Sequence, residues 1–367
     1  MDIDECLITE APSICADWLV KTPVDLPEHM GIERYAEAEK AFADAIAPLN
    51  PDAQLFRYGF WHTPGISDID MLCVVDDNID TAAVKHIEMT PRGKLMVHPP
   101  LLLPKSIAGS FRWFLPITDI FPVGDANTGL AIETPVEQEF QDLCLISSFN
   151  ASLSAWRALR LAQGKAEIPV RGGMLRVWTI RHTIQFAARA GLTVPAAWLA
   201  FADDCEAMRA SFRQGNPVNM GKLSLALARG EIIARDVASK TALARLERSN
   251  APYFVEQRLE VGRVRVQIES PGWQIRASSF GRKKRTKYIS VTLPPHVAAF
   301  VGQIGGTNPF DNTLHKVRHL STIRNAFVDR HRAYGLWSGK QFLGEDARPI
   351  IARIRDRMAL HVISALR

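Results

Sequence analysis

The spacing of hydrophobic and polar residues predicts both helices and strands in the first third of the chain. Residues 31–47 have apolar positions at helical spacing, which predicts an amphipathic helix. Residues 53–60 and 69–75 are short apolar runs bounded by turn residues, and both predict strands. Residues 94–104 and 111–124 predict further strands, whose prolines favour sheet edges or bulges.

The middle of the chain is mostly helical by the same criterion. The Thr-Pro-Val-Glu sequence at residues 134–137 is typical of a capping box with Thr134 as the N-cap. It predicts the start of a long helix that ends at Gly164. Further helices are predicted over residues 174–190 and 195–248.

Alternating polar and apolar residues return in the last third. Residues 258–270, 272–279 and 286–293 each predict one strand of a small antiparallel sheet with one solvated face. Residues 347–366 predict a closing helix.

These patterns together predict an α+β protein of three domains. The expected parts are a mixed sheet core with helices at residues 1–130, a helical domain at 131–250 and a small basic α+β domain at 251–367. The length of 367 residues is enough for two to three domains of about 100 to 200 residues each.

Composition narrows the class of protein. Hydrophobic residues make up 47% and charged residues 23%, which is ordinary for a folded domain. The first twenty residues carry acids where an export signal needs basic residues, and no apolar run approaches membrane-spanning length. The five scattered cysteines contain no CxxC pair, so neither a disulfide framework nor a zinc site is indicated. We therefore expect a cytoplasmic protein that does not enter a membrane.

Charge is distributed unevenly along the chain. The net charge is +5, and residues 251–367 hold 20 Lys and Arg against 8 Asp and Glu. This excess favours a polyanion such as nucleic acid as a partner of residues 251–367. The basic run Gly281–Lys287 could clamp a phosphate backbone or be a solvated hairpin tip, and the sequence leaves both open.

Two aspartates at residues 68 and 70 are the main candidates for chemistry. Asp68 and Asp70 stand at positions i and i+2 at the start of a predicted strand, so their side chains leave the same face while Ile69 points into the core. Paired carboxylates suit Mg²⁺ or Mn²⁺, which also take up substrate phosphates. The alternative is a turn in which the acids have no role in chemistry.

A third acid, Asp119, stands between Ile117 and Ile120 in an apolar segment. A charge in such surroundings is unfavourable unless it is paired, hydrogen-bonded or bound to a metal ion. Together the three acids suggest a two-metal site for phosphoryl transfer.

With these residues the chain resembles the DNA polymerase beta-like nucleotidyltransferase superfamily. The family motif is a strand ending in Gly-Ser or Gly-Gly, then Ser-Asp-hydrophobic-Asp-hydrophobic, and a third carboxylate on a later neighbouring strand. The matching residues are Gly59, the segment 67–72 and Asp119, and the resemblance covers about residues 30–125.

The resemblance implies that residues 1–130 form a nucleotidyltransferase-like catalytic core. Its expected activity is metal-dependent transfer of a nucleoside monophosphate from an NTP to a hydroxyl of an RNA, a nucleotide or a small molecule, with release of pyrophosphate. In this scheme Asp68 and Asp70 bind both Mg²⁺ or Mn²⁺ ions, and Asp119 helps to bind the second. Gly59 and Ser67 belong to the nucleotide-binding part of the motif.

The chain departs from the family motif in two ways. Phe60 stands where the family has a small residue that meets the triphosphate, and the loop from Trp61 to Ser67 is short. Either His62, Thr63 or the Gly65 amide makes the phosphate contact instead, or the protein is an inactive member that binds nucleic acid through residues 251–367. A third alternative is an unrelated fold with structural acids.

Three arginines in the second predicted helix of the middle stretch, Arg171, Arg176 and Arg181, are candidates to meet a triphosphate. Steps of five residues rotate them apart on a helix, so the sequence does not choose among them. His182, beside Arg181, is interpreted as a surface or core residue.

Overall fold

The three-dimensional description comes from a computed structural model of the chain. It describes residues 2–48, 50–59, 61, 63–79, 95, 101–116, 119–124 and 131–248, with backbone only for 114 and 245–248. It also gives the backbone of 253–259, 262–269, 274–280 and 286–292, and the residues 316, 319, 320 and 323. Phe60, His62 and the predicted helix at 347–366 lie outside the described residues.

These ranges contain both helices and strands. The helices are α1 (Ile3–Thr9), α2 (Ala11–Leu19), α3 (Glu33–Ile46), α4 (Lys105–Ala108), α5 (Phe111–Phe114), α6 (Glu137–Gln163), α7 (Val170–Arg189), α8 (Ala196–Arg213) and α9 (Met220–Arg248). The strands are β1 (Thr22–Val24), β2 (Gln54–Tyr58), β3 (Met71–Val75), β4 (Leu101–Pro104), β5 (Ile120–Pro122), β6 (Glu167–Pro169), β7 (Tyr253–Leu259), β8 (Gly262–Glu269), β9 (Gln274–Phe280) and β10 (Thr286–Thr292). The protein is therefore of mixed α+β composition, as predicted.

A four-stranded mixed sheet of order β4-β3-β2-β5 forms the first layer of the fold. β2 pairs antiparallel with β3 and β5, and β3 pairs parallel with β4. The predicted strands at residues 53–60 and 69–75 are confirmed as β2 and β3. Every residue of β3 is buried, because both faces of the sheet are covered.

Helix α3 covers one face of this sheet, as its apolar spacing predicts. Tyr35 and Phe42 of α3 share a core with Leu55 of β2 and Cys73 of β3. The opposite face packs against α4, α5 and Leu320 from the last third of the chain. Period-two alternation along β2 and β3 supplies apolar side chains to both cores.

The helices α6, α7, α8 and α9 form a separate helical core together with α1 and α2. Trp18 of α2 is buried there against residues of the middle helices. The short parallel pair β1 and β6 joins the N-terminal segment to the same helices. The helical middle stretch predicted from the sequence is thus present, and α1 and α2 pack with it.

Strands β7 to β10 form an antiparallel sheet of order β10-β9-β8-β7. The sequence predicts a single strand over residues 258–270, and this is wrong. The chain reverses between Leu259 and Gly262, which pair with each other in a hairpin. A two-residue connection shifts the apolar alternation by one residue, from Leu259 and Val261 to Val264 and Val266, and the prediction of one continuous strand overlooked this shift.

Two other predictions of local structure are corrected. Residues 111–124 do not form one strand, because Phe111–Phe114 is helix α5 and, among the described residues of this range, Ile120–Pro122 is the part in strand β5. A short buried apolar run does not distinguish helix from strand by periodicity.

The long helix α6 begins two residues later than predicted. Its N-cap is Val136, whose amide donates to the Glu139 carboxylate at 3.3 Å. The hydroxyl of Thr134, the predicted cap, instead accepts a hydrogen bond from Arg112. The predicted end at Gly164 is confirmed.

Candidate functional site

Main-chain hydrogen bonds bring the three candidate acids to one end of the central sheet. The Tyr58 amide donates to the Asp70 carbonyl at 3.1 Å, and the Gly59 amide donates to the Asp119 carbonyl at 3.2 Å. Asp70 therefore lies on one side of the end of β2 and Asp119 on the other. Gly59, with a φ of 79°, has a left-handed backbone that favours glycine.

The two sides of β2 are offset by one residue. Asp70 is level with Tyr58, whereas Asp119 is level with Gly59. In a regular sheet a one-residue offset sends side chains to opposite faces. Over the ranges that the structure describes, no three His, Cys, Asp or Glu side chains gather in a group that could hold a metal ion. The role of Asp119 stays a prediction.

The pair Asp68 and Asp70 is anchored by the residue between them, as expected. Ile69 is 1% exposed in the core beneath α3, and its amide donates to the Leu95 carbonyl at 2.8 Å. Asp68 and Asp70 themselves remain partly exposed. A buried residue between two accessible carboxylates directs both acids away from the core.

Residues 63–70 are called the acidic loop below. The first part of this loop, from Thr63 to Ser67, forms a tight turn just before Asp68. The Ser67 amide donates to the Thr63 carbonyl at 2.8 Å, and the Thr63 amide donates to the Ser67 hydroxyl at 3.1 Å. Both side chains are buried. Thr63 and Ser67, the predicted phosphate contacts, thus bond first to each other and fix the shape of the loop.

Tyr35 of α3 holds the acidic loop from one side. Its hydroxyl donates to the Ser67 carbonyl at 2.7 Å and accepts from the Gly65 amide at 3.0 Å. The side chain is fully buried, and burial raises the pKa of Tyr35 above its ordinary value. The hydroxyl therefore stays protonated and keeps its donor role at neutral pH.

Arginines of α7 and α8 hold the loop from the other side. Arg171 donates to the Ser67 carbonyl at 3.2 Å, and Arg209 donates to the Ser67 hydroxyl at 3.3 Å. Arg213 donates to the Thr63 hydroxyl at 3.3 Å. These bonds join the sheet layer to the helical layer at the acidic loop.

Arg209 belongs to a stack of side chains on the helices. Its guanidinium lies 4.1 Å from the centroid of the Trp178 ring, and the Arg181 guanidinium lies 4.2 Å from the same centroid. Burial lowers the pKa of Arg209 to about 10, and the nearby Asp68 carboxylate opposes this change. Arg209 therefore remains a cation at neutral pH.

His182 stands next to this stack. Its ring makes an edge contact with Trp178 at a centroid distance of 5.5 Å, and part of the ring is exposed to solvent. The surrounding protein nevertheless removes enough water to lower the pKa of His182 to about 4, with Asp70 acting in the opposite direction. His182 is therefore neutral at physiological pH, and Asp70 lies within electrostatic range of α7.

The arginines of α7 and α8 that bond to the acidic loop or lie on the Trp178 ring are called the arginine face below. It consists of Arg171, Arg181, Arg209 and Arg213. Glu206 pairs with two of its members, at 3.9 Å from Arg181 and 3.0 Å from Arg213. The arginine face therefore places positive charge within electrostatic range of Asp68.

The sequence named some of these residues and missed others. Arg171 and Arg181 were candidates, and the third, Arg176, is partly buried with its pKa lowered by burial. Tyr35, Arg209 and Arg213 were missed. Arg209 could have been found from the sequence, because it lies on the buried side of α8 at a position where helical spacing predicts an apolar residue.

Comparison with known proteins adds no relative. No family model, curated protein or solved structure matches this chain. Within the described part of the chain, no helix combines the length and apolar character needed to cross a membrane.

Replacing Tyr35 by phenylalanine tests the hold on the acidic loop. The change leaves the buried Gly65 amide without its acceptor, so we expect the free energy of unfolding to fall by about 1 to 3 kcal/mol. Urea denaturation of both proteins measures the difference. A loss below about 0.5 kcal/mol would show that the Tyr35 hydroxyl does not hold the loop.

Proposed function

We propose that the protein is a metal-dependent nucleotidyltransferase that moves a nucleoside monophosphate from an NTP to an acceptor hydroxyl and releases pyrophosphate. The proposal rests most on one observation. Asp68 and Asp70 flank Ile69, which is buried in the core. Asp68 lies within electrostatic range of Arg209 on α8, and Asp70 lies within electrostatic range of His182 on α7. Carboxylates opposite arginines suit a substrate that carries both phosphate charge and a divalent cation.

The donor set suits Mg²⁺ or Mn²⁺. Such ions commonly bind through one or two carboxylates and take their remaining ligands from water and substrate phosphates. Asp68 and Asp70 supply two carboxylates of this kind, so they would hold the ion together with an NTP. A bound divalent ion neutralises phosphate charge and stabilises the attacking and leaving oxygens of an in-line displacement.

The protein's own residues would bind and orient the reactants. The arginine face would counter the negative charge of the triphosphate, and neutral His182 would donate or accept a hydrogen bond without adding charge. The acceptor oxygen bonds to the α-phosphorus, the bond from that phosphorus to the α–β bridging oxygen breaks, and pyrophosphate leaves. The hydroxyl proton passes to a base, a role for which Asp119 is the candidate of the family motif.

The competing proposal is a binding protein without catalysis. It draws on the basic excess of residues 251–367, the strands β7 to β10 among them. Binding of this kind would weaken steeply with added salt, because counterions are released from the nucleic acid.

Pyrophosphate release separates the two proposals. The full chain is incubated with each of the four NTPs, Mg²⁺ or Mn²⁺, and an RNA oligonucleotide, a nucleotide or no added acceptor. We expect release with at least one combination and none when EDTA removes the ion. Absence of release from every combination, together with salt-sensitive RNA binding, would replace the transferase proposal by the binding proposal.

A further inference from the structure

A buried carboxyl lies on α3, the helix that holds the acidic loop through Tyr35, and does not belong to the site described above. Glu39 is 7% exposed, and its Oε2 lies 3.7 Å from an Nη atom of Arg57 on β2. The Arg57 guanidinium also lies 4.2 Å from the centroid of the Trp61 ring and 5.3 Å from that of Phe121. Arg57 is therefore shared between a carboxyl and two aromatic rings.

Three buried polar atoms of this cluster have no hydrogen-bond partner among the described residues. They are Glu39 Oε1, Arg57 Nε and Trp61 Nε1. Buried polar atoms in proteins are nearly always paired, so three in contacting residues mark a place where the polar arrangement can change. Arg57 and Trp61 are therefore the polar groups placed to respond to a change in the charge of Glu39.

The cluster connects to the acidic loop through Tyr35. The ring centroids of Trp61 and Tyr35 are 5.3 Å apart, and the Tyr35 hydroxyl bonds to Gly65 and Ser67. Tyr35 and Glu39 stand four residues apart and share one side of α3. Tyr35 therefore links this side of α3 to two places in the chain. It bonds to the acidic loop directly, and its ring contacts Trp61, which lies just before the loop.

Glu39 is the group of this cluster that titrates near neutral pH. Burial raises its pKa from 4.5 to about 7, and the Arg57 cation acts in the opposite direction. Arg57 is the charged residue that β2 directs toward Glu39. The core between α3 and β3 adds the Cys73 thiol, whose pKa burial raises far above neutrality, so it stays uncharged.

We propose that Glu39 is a positioning residue for the acidic loop, which it holds through Arg57 and Trp61 while it is protonated. When Glu39 ionises, its charge attracts the Arg57 guanidinium away from the Trp61 ring. The contact between Trp61 and Tyr35 then loosens, and the loop that carries Asp68 and Asp70 loosens with it. This inference does not depend on which reaction the protein catalyses.

The indole resonance of Trp61 tests the proposal directly. The full chain is labelled with ¹⁵N, and the Trp61 signal is identified among the eight tryptophans as the one missing from Trp61→Phe. We expect this signal to shift with pH and a midpoint near 7. In Glu39→Gln the shift with pH should disappear.

Glu37→Gln is the matched control. Glu37 is exposed on the same helix, so its replacement removes the same charge without touching the cluster, and the titration of Trp61 should persist. A Trp61 signal that does not move between pH 5.5 and 8.5, or that still titrates in Glu39→Gln, would overturn the proposal. If Glu39→Gln does not fold, the carboxyl ¹³C shift of Glu39 in the unaltered protein decides, because a midpoint near its ordinary value of 4.5 rules the proposal out.

The ionisation of Glu39 should also make the free energy of unfolding fall as pH rises. A carboxyl with a raised pKa binds more protons in the folded state, so its contribution to stability is complete below 4.5 and is lost as pH rises through about 7. Glu39→Gln should flatten the fall in unfolding free energy over this interval, and Glu37→Gln should not. An equal fall in both variants would assign the pH dependence to other groups and contradict the role of Glu39.

Discussion

Replacing Asp70 by asparagine is expected to lower the rate of pyrophosphate release by at least about 100-fold, the scale of losing one electrostatic contact to a transition state. Asparagine has nearly the same shape but no charge, so in the proposed site it would bind a divalent ion less tightly than the carboxylate does. The initial rate at saturating NTP and Mg²⁺ measures the effect, and a melting curve shows that the fold is kept.

The control for this change lies at the opposite end of the sheet, where β2 begins. Asp52 is exposed just before β2, so Asp52→Asn removes one carboxylate from the sheet without approaching the acidic loop. Its rate should match that of the unaltered protein. A folded Asp70→Asn variant with full activity would remove Asp70 from the proposed site.

Asp119 is tested by the same substitution. If Asp119→Asn lowers the rate of pyrophosphate release as much as Asp70→Asn does, the result would support Asp119 as the third carboxylate of the family motif. An unchanged rate would limit the site to Asp68 and Asp70, as the one-residue offset across β2 suggests.

Replacing Gly65 by alanine is expected to produce the largest loss of stability. A Cβ at this position would lie 2.0 Å from the Glu28 carbonyl oxygen, and the backbone φ of 91° is in the left-handed region. The strained backbone contributes about 1 to 2 kcal/mol and the overlap with main-chain atoms about 1 to 3 kcal/mol. We expect the free energy of unfolding in urea to fall by about 3 kcal/mol or more.

Gly124→Ala separates the two contributions. Gly124 has a φ of 81°, but a Cβ there would meet no atom of the described residues within 4 Å. The free energy of unfolding of Gly124→Ala should therefore fall by about 1 to 2 kcal/mol, which is the contribution of the strained backbone alone. Equal losses in the two variants would show that the segment around Glu28 moves away from Gly65 without a penalty.

The predictions for Asp70→Asn and Gly65→Ala both concern the acidic loop, the first its carboxylates and the second its backbone. Gly65 lets the acidic loop pass close to Glu28, and the bonds between Thr63 and Ser67 then orient the chain toward Asp68 and Asp70. The site is therefore only as precise as this turn. Failure of Gly65→Ala to release pyrophosphate would follow from loss of the turn and would not by itself support the role of the carboxylates.

Local structure and the acid pair were within reach of the sequence. Helical spacing fixed α3, and short apolar runs between turn residues fixed β2 and β3. The spacing of Asp68 and Asp70 around Ile69 predicted a buried anchor between two accessible acids. Each of these features depends on neighbours within a few residues, because periodicity reports which side of an element meets the core.

The surroundings of the acid pair were decided only by tertiary structure. Arg171 and Arg209 reach Ser67 across 104 and 142 residues of chain. No local pattern encodes which helix turns meet the acidic loop, since that depends on how the helical core packs against the sheet. The sequence by itself thus determined elements such as α3, β2 and β3 and the two carboxylates, whereas the charges, hydrogen bonds and burial that surround them exist only once distant segments pack together.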